Sequence, residues 1–330
     1  MVKEHSLSII LAAMIIMCAS TFPAFSGNRH RPGYDFKPSH MTIYVPGLRD
    51  TVRLFVISDT HLPISDDREK PFAQYSKRMA AAYNHTSHFR TGTPTCPVEA
   101  LTESLAEARR FRADAVIHLG DLVSFPSEYG IEWAKSQFDV CGLPWYYISG
   151  NHDWHYEGIG EDQGALRTEW SAKRLAPLYQ GHNPLNYAVE VKGVKLILID
   201  DSLNEIVPSQ VKFLKAELKD RAPSVLLMHV PVATPGTSPS VFSIGSPGWG
   251  AAVDWAYKYE SRPIWPEHHQ QTDYDFLDTV LDYGASHNLL AVVCGHVHVE
   301  TFSVQNGIAT VTADTNSNGS YMKITLAPCE

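Results

Sequence analysis

Short apolar runs recur along this chain, and each stops abruptly at a polar cluster. The run TVRLFVIS reads as a buried strand ending at Asp59-Thr60-His61. Helical spacing at Val98, Leu101, Leu105 and Ala108 precedes a second strand, AVIHL, which ends at Gly120-Asp121. A helical stretch near 128–139 leads to WYYIS and then Gly150-Asn151-His152-Asp153. LNYAVEV and VKLILID flank Lys192-Gly193, the pattern of a tight hairpin. Pro208 opens a helix to about Lys219, SVLLMHV closes on His229, and a helical pattern covers Tyr274 to His287. NLLAVVCGHVH follows, with three short strands after it. A Pro-rich entry ends near Pro46, the polar stretch 62–97 reads as an irregular insertion, and the stretch 231–273 is long and rich in Gly, Pro and Trp.

Strands alternating with helices predict an α/β architecture, and the later hairpins add antiparallel strands. No internal repeat or linker divides the chain. In open α/β sheets, sites form where strands end, which is where the polar clusters fall. Successive alternate residues of an extended segment share a face, so His296 and His298 look the same way.

At 330 residues the chain can bury one substantial core. A net charge of -9 without a Lys/Arg cluster excludes a nucleic-acid polymer as partner. Residues 1–26 have the features of a signal peptide: Lys3, the apolar run LSIILAAMIIMCAS, then small residues with cut sites after Ser20 or near Ser26. That run falls short of the roughly 20 residues of a comfortable span. The mature chain, 27–330, is therefore expected as one secreted or extracytoplasmic domain with no stable membrane span. Of the cysteines beyond the signal, Cys294 is expected as a buried thiol, Cys96 and Cys141 as a disulfide, and Cys329 has no assigned partner.

The strand ends carry Asp59, His61, Asp121, Asn151, His229, His296 and His298, a set of carboxylate, amide and imidazole donors suited to Zn, Mn, Fe or Co. Seven donors exceed the needs of one tetrahedral ion and suit two neighbouring di- or trivalent ions. The stretches DTH, GDLV, GNHD, MHVP and GHVH, in this order, resemble the five motifs of the calcineurin-like metallophosphoesterase family, over roughly residues 52–304. That resemblance implies an αββα fold, a two-sheet β-sandwich flanked by helices, and a metal-dependent phosphoric ester hydrolase, phosphatase or phosphodiesterase. It also implies Asp59, His61 and His298 on one ion, Asn151, His229 and His296 on the other, and Asp121 between them. Hydroxide held by the two ions would attack phosphorus. His152 would be the general acid, with Asp153 orienting it or raising its pKa. The alternative is a non-catalytic member that keeps the fold as a binding surface; such proteins lose ligands, and this chain keeps all seven. Purple acid phosphatases carry a Tyr three places after the bridging Asp, where this chain has Ser124.

Substrates implied are small or lipid-derived phosphoesters. Other polar residues have plainer readings. His118 is expected as a hydrogen-bonded core histidine, and Asp200 and Asp201 as loop carboxylates rather than a third metal site. His155 and Tyr156 suit substrate contact or an exposed loop equally. Trp249, Trp255, Trp265, His268 and His269 suit either loop packing or a lid over the site.

Overall fold

The structure is a computed structural model that describes residues 32–160, 162–232, 258–259, 262–263 and 271–329. The expected signal segment and Trp249, Trp255, Trp265, His268 and His269 lie outside the described residues. Residues Arg31–Glu330 form one unit.

The chain opens on β1 (Gly33–Lys37) and β2 (His40–Pro46), then β3 (Val52–Ile57). After β3 come a short 3-10 helix (Asp67–Phe72), α1 (Ala73–Ala82) and a small ladder of β4 (Thr86–Ser87) with β5 (Pro94–Thr95). Next, α2 (Pro97–Phe111) leads to β6 (Ala115–His118), and α3 (Glu128–Cys141) to β7 (Trp145–Tyr147). α4 (Gln163–Trp170) precedes β8 (Asn186–Val191), β9 (Val194–Ile199), α5 (Pro208–Leu218) and β10 (Ser224–Leu227). A two-residue pair, β11 (Lys258–Tyr259) and β12 (Arg262–Pro263), is followed by α6 (Gln271–Asp278), β13 (Leu289–Cys294), β14 (Thr301–Gln305), β15 (Ile308–Thr312) and β16 (Met322–Cys329).

Two six-stranded mixed sheets result, ordered β1-β2-β16-β3-β6-β7 and β14-β15-β13-β10-β9-β8. Leu54 and Val56 of β3 face Leu196 and Leu198 of β9 in one shared, fully buried core, whereas the alternate residues Phe55 and Ile57 point outward beneath α2 and α3. Ile197 and Ile199 likewise face α5 and α6. Burial on both faces explains why these strands read as continuous apolar runs. Each fully buried Leu, Ile or Val contributes roughly 1.5–3 kcal/mol, so the paired sheets are a rigid base for whatever their ends carry. The architecture is the αββα sandwich expected from the sequence.

Local signals hold as well. Lys192 and Gly193 both have positive φ, 49° and 83°, as the primed hairpin turn between β8 and β9 requires. Ser127 Oγ caps α3 by accepting from Gly130 N at 3.1 Å, and Gly142 ends it at φ 71°. The Pro-rich entry, to which the sequence pattern assigns no element, contains β1 and β2, with Met41, Ile43 and Val45 fully buried, because β2 pairs with β16 from the far end of the chain. The stretch 62–97 contains α1, so it is not wholly irregular.

The Cys96–Cys141 disulfide is also not formed: all four described cysteines are free thiols. Cys96 caps the start of α2, whereas Cys141 Sγ lies 3.6 Å from the Leu105 carbonyl oxygen. Helical rise puts Leu105 about 13 Å along from Cys96, well beyond disulfide reach. Among the described residues, no helix is long and apolar enough to cross a membrane.

Candidate metal centre

β3, β6, β7, β10 and β13 end at one rim of the sandwich, and their trailing residues interlock there. Asp59 N donates to Gly120 O at 3.0 Å and His61 N to Asp121 O at 2.9 Å. Asp59, His61, Asp121, His296 and His298 all have left-handed backbone, with φ between 51° and 70°. Non-glycine residues adopt that region at a cost of order 1–3 kcal/mol each, and such strain clusters at functional sites. Two glycines let the segments close. A Cβ on Gly150 would lie 2.2 Å from Asp121 Oδ1, and one on Gly295 1.7 Å from Ser58 Oγ.

The side chains converge in two groups. Asp59, His61 and His298 form one, Asp121, His229 and His296 the other, each with ligand atoms within 4.8 Å of one another. His61 Nε2 and His298 Nε2 are 3.1 Å apart, as are His229 Nε2 and His296 Nδ1. Two imidazole nitrogens on one tetrahedral ion, each about 2.0–2.1 Å from it, would be separated by about 3.3 Å. Asn151 Oδ1 joins the second group at 3.3 Å from His229 Nε2. Asp121 Oδ2 lies between the groups, 3.8 Å from His61 Nε2 and 3.5 Å from His229 Nε2.

Electrostatics fit cations. His61 is held well below the ordinary imidazole value by burial and by His152, and His296 is lowered to about 3 by burial and His229, so both are neutral and able to ligate. Burial would raise the Asp121 carboxyl, but His229, His152 and His61 hold it well below the usual carboxylate range. Burial opposes charge on His229 too, yet Asp121 raises it to about 10. Without ions, then, a proton on His229 balances the buried carboxylate. His229 Nδ1 sits 2.7 Å from the Leu119 carbonyl oxygen, to which it donates, which turns Nε2 to the centre. Asp59 Oδ1 is buried and hydrogen-bonded to no neighbour, 3.3 Å from His298 Nε2. It faces the imidazoles of its own cluster, His298 and His61, where a carboxylate oxygen can share a cation with them.

The calcineurin-like phosphoesterase family model matches residues 52–300. The chain belongs to that family. A dimetal phosphatase from Danio rerio has the same fold, at 13% identity, with 84% of this chain and 93% of that one covered and a TM-score of 0.52. A purple acid phosphatase from yellow lupin (Lupinus luteus) is similar at 14% identity, covering 85% of this chain and 46% of that one, with a TM-score of 0.48. No curated protein sequence matches the chain.

In this family member the seven expected ligands and His152 are all at the rim. His152 N donates to Asp121 Oδ1 at 2.8 Å, and its ring joins His61 and Asp121 in a third close set. Asp153 does not reach that ring. Its carboxylate accepts from Val123 N at 3.0 Å, Gly150 N at 2.9 Å and Tyr147 Oη at 2.8 Å, and burial and Asp121 raise it to about 7. It secures the turn that carries Asn151 and His152, while the Ser124 carbonyl oxygen, 3.2 Å from His152 Nδ1, takes the orienting place expected of Asp153.

His118 is the core histidine expected. Thr60 Oγ1 donates to Asn316 Oδ1, so His118 Nε2 donates to Thr60 Oγ1 at 2.9 Å and Nδ1 accepts from Gly120 N. Asp200 pairs with Arg167, and Asp201 Oδ1 accepts from His229 N and Val230 N, both at 3.1 Å. Tyr156 is buried with its hydroxyl 2.5 Å from Glu69 Oε2, which rules it out as a substrate contact, whereas His155 lines the cleft.

Two residues escaped the sequence reading. Tyr83 stacks on His61 with ring centroids 3.9 Å apart. Asn316, fully buried beyond the last motif, braces the Asp59 loop: its N donates to Ser58 O at 2.8 Å, and its amide joins Thr60, Ser104 and Ser320. Thr315 Oγ1 donates to Asp59 O at 2.7 Å. Asn316→Ala should cost roughly 2–4 kcal/mol, because it leaves buried polar partners unmatched. Urea unfolding checks this, and a change below about 0.5 kcal/mol, the level of an ordinary surface substitution, would refute the bracing role.

Proposed function

We propose that the protein is a secreted dimetal phosphohydrolase that cleaves a phosphomonoester or phosphodiester of a small or lipid-derived alcohol. Asp59, His61 and His298 would hold one ion, Asn151, His229 and His296 the other, and Asp121 both. The observation that carries this reading is the Asp121 carboxylate, set between two imidazole nitrogens at 3.8 and 3.5 Å with a cluster on either side. Bound ions would draw in phosphoryl oxygens and lower the pKa of an attacking water.

The chain's own groups do the rest. A cleft of about 350 Å³ opens over the centre, lined in part by Asp121, Asn151, His152 and His298. His152 Nδ1, donating to Ser124 O, leaves Nε2 to carry a proton toward the departing alkoxide oxygen. The apolar N-terminal run supports export. The test is turnover of an aryl phosphate and a bis-aryl phosphate by protein reconstituted with Mn or Zn. Hydrolysis of at least one, lost on chelation and restored by metal, is expected; a fully loaded, folded protein inert toward both would overturn the proposal.

A further inference from the structure

Beyond the metal ligands and His152, the aromatic side chain of Tyr83 packs directly on the imidazoles of the centre. Tyr83, just past the end of α1, lies nearly parallel to His61 at an interplanar angle of 17°. It meets His298 edge-on with centroids 5.3 Å apart and His152 with centroids 6.1 Å apart. The phenol therefore sits where the first cluster and the candidate acid meet, on the lining of the cleft.

Packing alone would be served by any flat ring. The hydroxyl is the distinguishing part: among the described residues it has no hydrogen-bond partner, whereas Tyr34, Tyr147, Tyr156 and Tyr187 each place theirs on a protein acceptor. No Lys or Arg stands among the described residues lining the cleft. Neutral donors on that lining can meet phosphoryl oxygens turned away from the ions, and a phenol is one.

We propose that Tyr83 contacts substrate directly, its ring fixed on His61 and its hydroxyl donating a hydrogen bond to a phosphoryl oxygen. The inference rests on the phosphohydrolase reading above and adds a substrate-binding donor drawn from outside the five motifs. It also gives a role to the stretch 62–97, which delivers this side chain to the rim.

The test compares Tyr83→Phe with the parent enzyme, each loaded with Mn. Phe keeps the ring on His61, so metal content and the urea midpoint should not change. Affinity for inorganic phosphate by calorimetry should fall about tenfold, and kcat/KM for an aryl phosphate about tenfold to a hundredfold, as for loss of one hydrogen bond to a charged group. Equal phosphate affinity and equal kcat/KM in the two proteins would overturn the assignment, and so would a Phe variant that loses metal or stability in proportion to its activity. A parent enzyme that neither binds phosphate nor turns over either ester would instead remove the phosphohydrolase reading itself.

Discussion

Asp121→Asn is expected to reduce hydrolysis at least roughly a thousandfold, the rate equivalent of about 4 kcal/mol, and to lower the bound metal from two ions per chain. One Asp121 oxygen lies near both His61 and His229, and the other accepts from His152 N at 2.8 Å. An amide is isosteric and its oxygen can keep the bond to His152 N, so the turn survives. The amide nitrogen then faces two imidazole nitrogens with hydrogens where the carboxylate offered charge. The sandwich lies behind the rim, and its core residues do not depend on this side chain, so unfolding should change far less than activity. Elemental analysis alongside turnover checks the prediction. A variant that keeps two ions and parent activity would show that Asp121 bridges nothing.

His152→Ala separates chemistry from metal binding. Both ions should remain, because His152 is outside the two ligand clusters. Turnover of an alkyl phosphate should fall by about 10²–10⁴, the usual contribution of a positioned general acid. An ester of a good leaving group, such as a nitrophenyl phosphate, should lose much less, since its phenolate departs without a proton. The ring's contacts agree with this role: Ser124 O fixes Nδ1, and the His61 ring stands edge-on with centroids 4.7 Å apart. Equal losses for both leaving groups would point to a binding role, and no loss with the alkyl ester would remove His152 from the mechanism.

Much of this was legible in the sequence because the strands are buried on both faces, so each reads as an unbroken apolar run with a sharp end. The donors at those ends, from Asp59 to His298, are chemically matched, and their convergence follows from parallel strands finishing at one edge. Other features depend on partners distant in the chain. β2 is held by β16, and Asn316 braces a loop more than 250 residues earlier, so neither has a local signal. Tyr83 lies in a stretch without strand periodicity, and nothing nearby marks it as facing His61. The left-handed backbone of five non-glycine residues is likewise imposed by interlocking loops rather than by residue type. The orienting contact from Asp153 to His152 is not made, because the turn directs that carboxylate to Val123, Tyr147 and Gly150, partners that the sequence does not mark.

The most direct test is anomalous diffraction from crystals of the protein loaded with Mn or Zn. Two peaks about 3.5–4 Å apart are predicted. One should lie among Asp59, His61 and His298, the other among Asn151, His229 and His296, with an Asp121 oxygen between them. A single peak, or peaks away from Asp121 in a fully loaded crystal, would contradict the account.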